Sequence, residues 1–278
     1  MGFLLLAVFS SAMVSIVMRL STDKISANLS MLAANYLICS VLGAIYGGFE
    51  LVMPQAAGFS LTVWLGLISG VLYLAGLILF QTNTRKNGIV LSSVFMKLGL
   101  LVPIVASVLV FHEEPTVSQI AGFCLAIFAI VLINMKKEAE GKAFGFGLIL
   151  MLLCSGTADV MAKIFDVFVP QKLSALYLFY NFFTAFVLCM VLVLRKKERP
   201  GLGELLYGTL IGVPNFFAAK FLLGALTKLP AVVVYPSFSV GTMLLVTLTG
   251  VAVFRERLSR GQWVALAAII VALVLLNI

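Results

Sequence analysis

Gly66-Leu67-Ile68-Ser69-Gly70 and Gly208-Thr209-Leu210-Ile211-Gly212 are one pattern written twice, 142 residues apart. Working outward, the same shift sets Glu114 on Glu256. One gap later Gln119 falls on Gln262 and Asn134 on Asn277, and near the two starts Ser15 and Arg19 meet Asp159 and Lys163. The chain therefore reads as two copies of one apolar design, a first repeat over 1–138 and a second over 139–278. Glycines four residues apart let a neighbouring helix come close, so both stretches are expected at helix crossings.

Composition sets the class. Of 278 residues 62% are hydrophobic and 11% charged, and the mean hydropathy is +1.16. Water-soluble domains carry about 45–50% apolar and about 25% charged residues. The apolar stretches run about twenty residues each, the length of a membrane helix rather than of a barrel strand. All four cysteines, Cys39, Cys124, Cys154 and Cys189, lie inside these stretches, with no CxxC pair. They read as small packing residues, and no metal, disulfide or cofactor is expected. The single histidine, His112, adjoins Glu113 and Glu114 at a helix end. The start, Met1–Val14, lacks the basic leader of a signal peptide and aligns with Gly147–Ala158 in mid-chain, so it reads as a first membrane helix.

Helices are expected at about 2–20, 27–48, 60–81, 88–111 and 116–135, then at 145–166, 171–194, 203–226, 230–254 and 260–277. The fold class is thus all-α, ten membrane helices in two five-helix repeats. An odd number per repeat inverts the second copy relative to the first, the arrangement that supports alternating access with a site near the repeat interface. Fourteen of the 19 basic residues fall on one face: Arg19, Lys24, Arg85, Lys86, Lys136, Lys137, Lys142, Arg195, Lys196, Lys197, Arg199, Arg255, Arg257 and Arg260. The opposite face holds Lys172 and Lys228. Positive loops stay in the cytoplasm, which sets both termini outside. This face also accounts for the net charge of +8, so no nucleic-acid partner is implied.

Two segments at equivalent places carry a family resemblance. One is Phe111-His112-Glu113-Glu114-Pro115-Thr116 leading into Gln119-Ile120-Ala121-Gly122; the other is Phe254-Arg255-Glu256-Arg257-Leu258-Ser259 leading into Gln262-Trp263. Leu229-Pro230-Ala231 with Tyr235-Pro236 adds a third. With the duplicated ten-helix plan, the chain resembles an EamA-type member of the drug/metabolite transporter superfamily, over essentially its whole length. The resemblance implies a transporter of small molecules, of which the superfamily handles amino acids, sugars, nucleotide sugars, phosphorylated metabolites and drugs. It also implies cytoplasmic termini, against the charge count.

Ionisable groups inside a membrane cost about 2.5–3.5 kcal/mol each on insertion scales and mark sites. Lys97 lies about ten residues, or about 15 Å, into the fourth expected helix. It faces either a wet cavity or an internal ion partner. Lys220, with Asn215 a turn and a half before it, lines a cavity or snorkels to the nearby helix end. Asp159 and Lys163 are spaced to pair along one helix, as a packing pair or as substrate contacts; Asp159 is also a candidate for proton coupling. Counted this way, Lys97, Lys163 and Lys220 oppose Asp159 alone, which favours an anionic or carboxylate-bearing substrate. Tyr235 and Ser237 flank Pro236, which frees backbone groups. Tyr177, Tyr180 and Asn181 add polar handles. Glu114 and Glu256 read as helix-end hydrogen bonders, and Trp64 and Trp263 as belt residues.

The expected function is secondary transport of a small metabolite across the cytoplasmic membrane. The partners are the substrate, the lipid bilayer, and a proton or counter-substrate, and a monomer suffices. The rival is an exporter of apolar or cationic compounds using Asp159. No P-loop, HExxH or GxSxG occurs, so the chain does not read as an enzyme.

Overall fold

The structure is a computed structural model. It describes all residues except 22–23, 26, 49–56, 88, 135–145, 199 and 254–259, and the side chains within helices except those of 81, 85, 87, 89–91, 93–94, 133–134 and 260. Glu256 and much of the basic face, including Lys136, Lys137, Lys142, Arg199, Arg255 and Arg257, lie outside the described residues.

Among the described residues every regular element is a helix and there is no strand. The helices are α1 Gly2–Ser21, α2 Asn28–Gly47, α3 Phe59–Asn87, α4 Ile89–Leu98, α5 Leu101–Leu109 and α6 Val117–Asn134. There follow α7 Phe146–Phe168, a 3-10 turn at Gln171–Leu173, α8 Ser174–Lys196, α9 Leu202–Leu226, α10 Ala231–Ala252 and α11 Arg260–Leu276. Seven are long and apolar enough to cross a membrane, and Phe95–Leu109, Val117–Leu132 and Gly261–Leu276 are shorter apolar segments. Each of the ten expected segments has its helical counterpart.

The fourth is the exception to continuity. It is not one helix over 88–111 but two halves, α4 and α5, broken at Gly99-Leu100. Pro103 has no N–H to give the Gly99 carbonyl, and its ring crowds that carbonyl. The chain answers with tighter bonds: Gly99 N–H reaches the Met96 carbonyl at 3.3 Å, Leu100 N–H the Lys97 carbonyl at 3.4 Å, and Val102 N–H the Gly99 carbonyl at 3.0 Å. The third helix runs past the expected end at 81 to Asn87, because its polar tail holds no breaker before Gly88.

Helix starts are held by side chains that the sequence signals. Thr116 and Gln119 form a reciprocal capping box on α6: Thr116 N–H donates to Gln119 Oε1 at 3.1 Å, and Gln119 N–H to Thr116 Oγ1 at 3.2 Å. Glu204 accepts the Gly201 N–H at 3.0 Å at the start of α9. The glutamate that caps another helix is Glu113, not Glu114: its carboxylate accepts the N–H groups of Ala231 at 3.1 Å and Val232 at 3.3 Å, at the N-terminus of α10. Glu114 itself is exposed. Negative charge at a helix N-terminus is favourable, and Pro230 fixes the entry of that helix.

The chain divides into two compact units, Met1–Leu74 with Met161–Thr227, and Ala75–Val160 with Lys228–Ile278. In the first unit α2 packs on α8 and α9, and α1 packs on α9. Both glycine pairs act at crossings here. A Cβ on Gly208 would stand 2.5 Å from Ala34 Cβ, and one on Gly212 2.8 Å from the Asn35 carbonyl oxygen. A Cβ on Gly66 would stand 2.7 Å from Tyr180 Cβ, and one on Gly70 2.7 Å from Thr184 Cβ. Only glycine permits backbones this close. In the second unit α6 packs on α11, with α10 against α5, α6 and α11. Phe95, Leu148 and Met151 form its buried apolar cluster, lined by Leu79, Phe80, Met96 and Leu152.

Candidate functional site

In the second unit the broken helix meets α7. Gly99 approaches Ser155 Oγ, and Gly156 approaches the Gly99 carbonyl and the Val102 side chain, so closely that neither position has room for a Cβ. Lys97 is the last residue but one of α4, two residues before Gly99, and Asp159 lies about one turn along α7 from Gly156. The two side chains are half-buried and feel each other's charge. They make no ion-pair contact within 4.0 Å among the described residues. The exposed stripe of α7 runs through Phe146, Ile149, Leu153 and Val167, and Asp159 points away from it. Tyr235 of α10 fastens the spot, its hydroxyl donating to the Asp159 carbonyl at 2.7 Å. Ser237, two residues on, is buried at 3% exposure, and its Oγ has no hydrogen-bond partner among the described residues. The hydroxyls of Ser107 on α5 and Thr242 on α10 are in the same condition.

The expected pairing of Asp159 with Lys163 is not what forms. Lys163 Nζ lies 3.7 Å from Asp166 Oδ2, with both side chains under 10% exposed (8% and 9%). Asp166 also accepts a bond from Gln171 Nε2 at 3.0 Å. A spacing of three suits a helix pair as well as a spacing of four, and Asp159 is left to face Lys97. Asp166, absent from the sequence tally, neutralises Lys163.

Lys220 and Asn215 part company. Asn215 turns inward in the first unit, and its Nδ2 donates to Asn35 Oδ1 at 3.2 Å. Asn35 is 2% exposed and also accepts from Cys39 Sγ at 3.7 Å. Lys220 shares the side of α9 that exposes Leu206, Leu210 and Val213. Its ammonium sits 3.3 Å from the centroid of the Tyr46 ring, a cation–π contact. Tyr46 in turn stacks on Phe216, centroids 5.6 Å apart. Tyr180 lies on the α8 side of Phe183 and Val187 and rests edge-on against Phe179 at 5.2 Å. Tyr177 is buried, its hydroxyl donating to Ser69 Oγ at 3.1 Å. Asn181 is 7% exposed, and its Oδ1 has no partner among the described residues.

The expected site residues therefore separate. Lys97, Asp159, Tyr235 and Ser237 belong to the second unit, and Lys163, Tyr180, Asn181, Asn215 and Lys220 to the first. The polar side chains that this arrangement adds to the expected ones are Asn35, Ser107, Glu113, Asp166 and Thr242. Asn35 had a usable signal, an amide in the middle of an apolar helix.

The comparisons agree with this fold. A chain from a solved crystal structure matches it with a TM-score of 0.70 at 15% identity, covering 98% of this chain and 94% of that one. An uncharacterized protein of Haemophilus influenzae is 26% identical over 277 residues, covering 95% of this chain and 93% of that protein. The model of the EamA-like transporter family matches residues 1–135 and again 144–278. A multi-pass, all-helical membrane protein with this match along both halves belongs to the EamA-like transporter family, whose members move small molecules.

Proposed function

We propose that the chain is a secondary transporter of the cytoplasmic membrane that moves a carboxylate-bearing metabolite, an amino acid or organic acid, by alternating access. The observation that carries the reading is Lys97 at the end of a broken helix, half-buried and facing Asp159 without contact. Discontinuous helices are where transporters expose backbone ends and charged groups to substrate. Asp159 and Lys97 then form a matched pair that a substrate opens: its carboxylate takes Lys97, and Asp159 is released to a proton or to a substrate ammonium. Tyr235 holds the α7 backbone at Asp159 in position during that exchange.

The charge balance shifts the reading away from a strongly positive interior. Lys163 is neutralised by Asp166, and Lys220 rests on Tyr46 along an exposed stripe. Of the three interior lysines Lys97, Lys163 and Lys220, this leaves Lys97 as the one to meet the substrate. The repeats over 1–138 and 139–278 supply the two interchangeable halves of the cycle, and the concentration of basic residues sets the cytoplasmic face.

The test is thermal unfolding of the detergent-purified protein against amino acids, organic anions and organic cations. A ligand that binds the folded state raises apparent stability. Stabilisation by carboxylates that is lost in Lys97→Met supports the reading. Stabilisation by cations alone, lost in Asp159→Asn, replaces it with the export of cationic compounds.

A further inference from the structure

The first unit builds one helix crossing twice. In the α2–α9 copy, Gly208 faces the Met31 carbonyl, Ala34 Cβ and the Asn35 amide nitrogen, and Gly212 faces the Asn35 carbonyl and Ile38. In the α8–α3 copy, Gly66 faces the Tyr177 carbonyl, Tyr180 Cβ and the Asn181 amide nitrogen, and Gly70 faces the Asn181 carbonyl and Thr184. Every contact in the first has its counterpart in the second. Asn35 thus corresponds to Asn181, and Tyr36 to Phe182, whose rings stack at 6.4 Å.

The correspondence breaks at one place. Asn215 gives its amide to Asn35 at 3.2 Å. The residue that stands to Gly70 as Asn215 stands to Gly212 is Tyr73. Its ring lies edge-on to Tyr36 at 6.0 Å and to Phe182 at 6.4 Å. Asn181 is left with a buried acceptor and no donor among the described residues. A buried amide without a partner is costly and calls for one.

Tyr73 supplies a second, independent observation. The exposed apolar stripe of α3 runs through Leu61, Trp64, Ile68, Val71 and Ile78, and Tyr73 lies on the opposite side of the helix. Yet Tyr73 is 38% exposed, where Thr62 and Ser69 on that same side are 0% and 3% exposed. The protein-facing side of α3 is therefore open at this ring.

We propose that Asn181 and Tyr73 form a binding position for a neutral hydrogen-bond donor carried on a flat apolar body, such as a carboxamide or an N–H heterocycle. The proposal rests on the reading of the chain as a substrate-binding transporter and narrows the chemistry it takes. The donor fills the Asn181 acceptor that Asn215 fills in the other copy, and the flat body lies on the Tyr73 ring. Among the described residues, the side chains that the crossing sets beside Asn181, those of Tyr177, Tyr180, Phe182 and Thr184, are aromatic or hydroxyl-bearing and carry no charge to offset an ionised group.

Three probes share a ring and differ in the head group: benzamide, benzoate and benzylammonium. Each is titrated against the full chain in detergent, and the shift in unfolding temperature is read. Benzamide is expected to raise that temperature saturably. The shift disappears in Asn181→Leu. It disappears also in Tyr73→Asn, where the new amide occupies Asn181 as Asn215 occupies Asn35. It persists in Tyr73→Phe, which keeps the ring, and in Lys97→Met. No benzamide shift in the wild type overturns the proposal, as does a shift of equal size in Asn181→Leu and Tyr73→Asn. A benzylammonium or benzoate shift that alone depends on Asn181 overturns the neutral class. Benzoate binding that depends on Lys97 reports on the proposed transport site by itself, so the two ideas fail separately.

Discussion

Replacing Gly208 by alanine tests whether the crossing of α2 and α9 is as tight as the structure places it. The added Cβ would stand 2.5 Å from Ala34 Cβ and 2.6 Å from the Met31 carbonyl oxygen. Carbon atoms rest at about 3.5–4.0 Å, so the helices must separate by about 1 Å. The Asn35–Asn215 bond, already 3.2 Å long, lies beside that crossing and stretches with it. Overpacking of this kind costs about 1–3 kcal/mol. At about 2–4 °C per kcal/mol for chains near this size, the midpoint falls by about 2–12 °C. Gly2→Ala and Gly261→Ala are the controls, since a Cβ at either position meets nothing within 4 Å. The assay is thermal unfolding of the three purified variants in one detergent. If Gly208→Ala melts with the wild type and the controls, the helices do not cross this closely, and the match between the two crossings does not hold.

Glu113→Ala is expected to cost about 0.5–2 kcal/mol by uncapping α10, whereas Glu114→Ala stays within about 0.5 kcal/mol; thermal unfolding of both variants separates the adjacent glutamates. A double-mutant cycle with Lys97→Met and Asp159→Asn should give a coupling of about 0.5–3 kcal/mol, and strictly additive effects would show that the two charges do not sense each other. Lys163→Met should destabilise by about 1–3 kcal/mol, because it takes the ammonium from beside the Asp166 carboxylate, and Asp166→Leu added to it should recover part of the loss; a loss recovered by Asp159→Asn instead would reinstate the pairing of Asp159 with Lys163.

The fold was legible because apolar length and breakers are local signals. Every expected membrane segment became helix, and the glycine pairs sit at crossings as their spacing demands. The break at Gly99 was legible in principle from Pro103, which lies inside the expected helix at 88–111, where a proline removes the bond to the carbonyl four residues before it. The site was less legible for a different reason. Lys163 had carboxylates at two admissible spacings, and only packing decides that Asp166 takes it. Asn215 and Lys220 lie five residues apart, more than a full turn, so they point to different sides of α9. Asn35 and Tyr73 acquire meaning only when two crossings are laid over each other, which no single stretch of sequence shows. The capping role of Glu113 on α10 joins positions 118 residues apart.

Access to position 97 tests the transport cycle most directly. Lys97→Cys is placed in a chain whose Cys39, Cys124, Cys154 and Cys189 are replaced by alanine. It is then treated with a membrane-impermeant thiol reagent in intact cells and in inside-out vesicles. Alternating access at the broken helix predicts modification from both faces. Modification from one face only, or from neither in a folded protein, would contradict it.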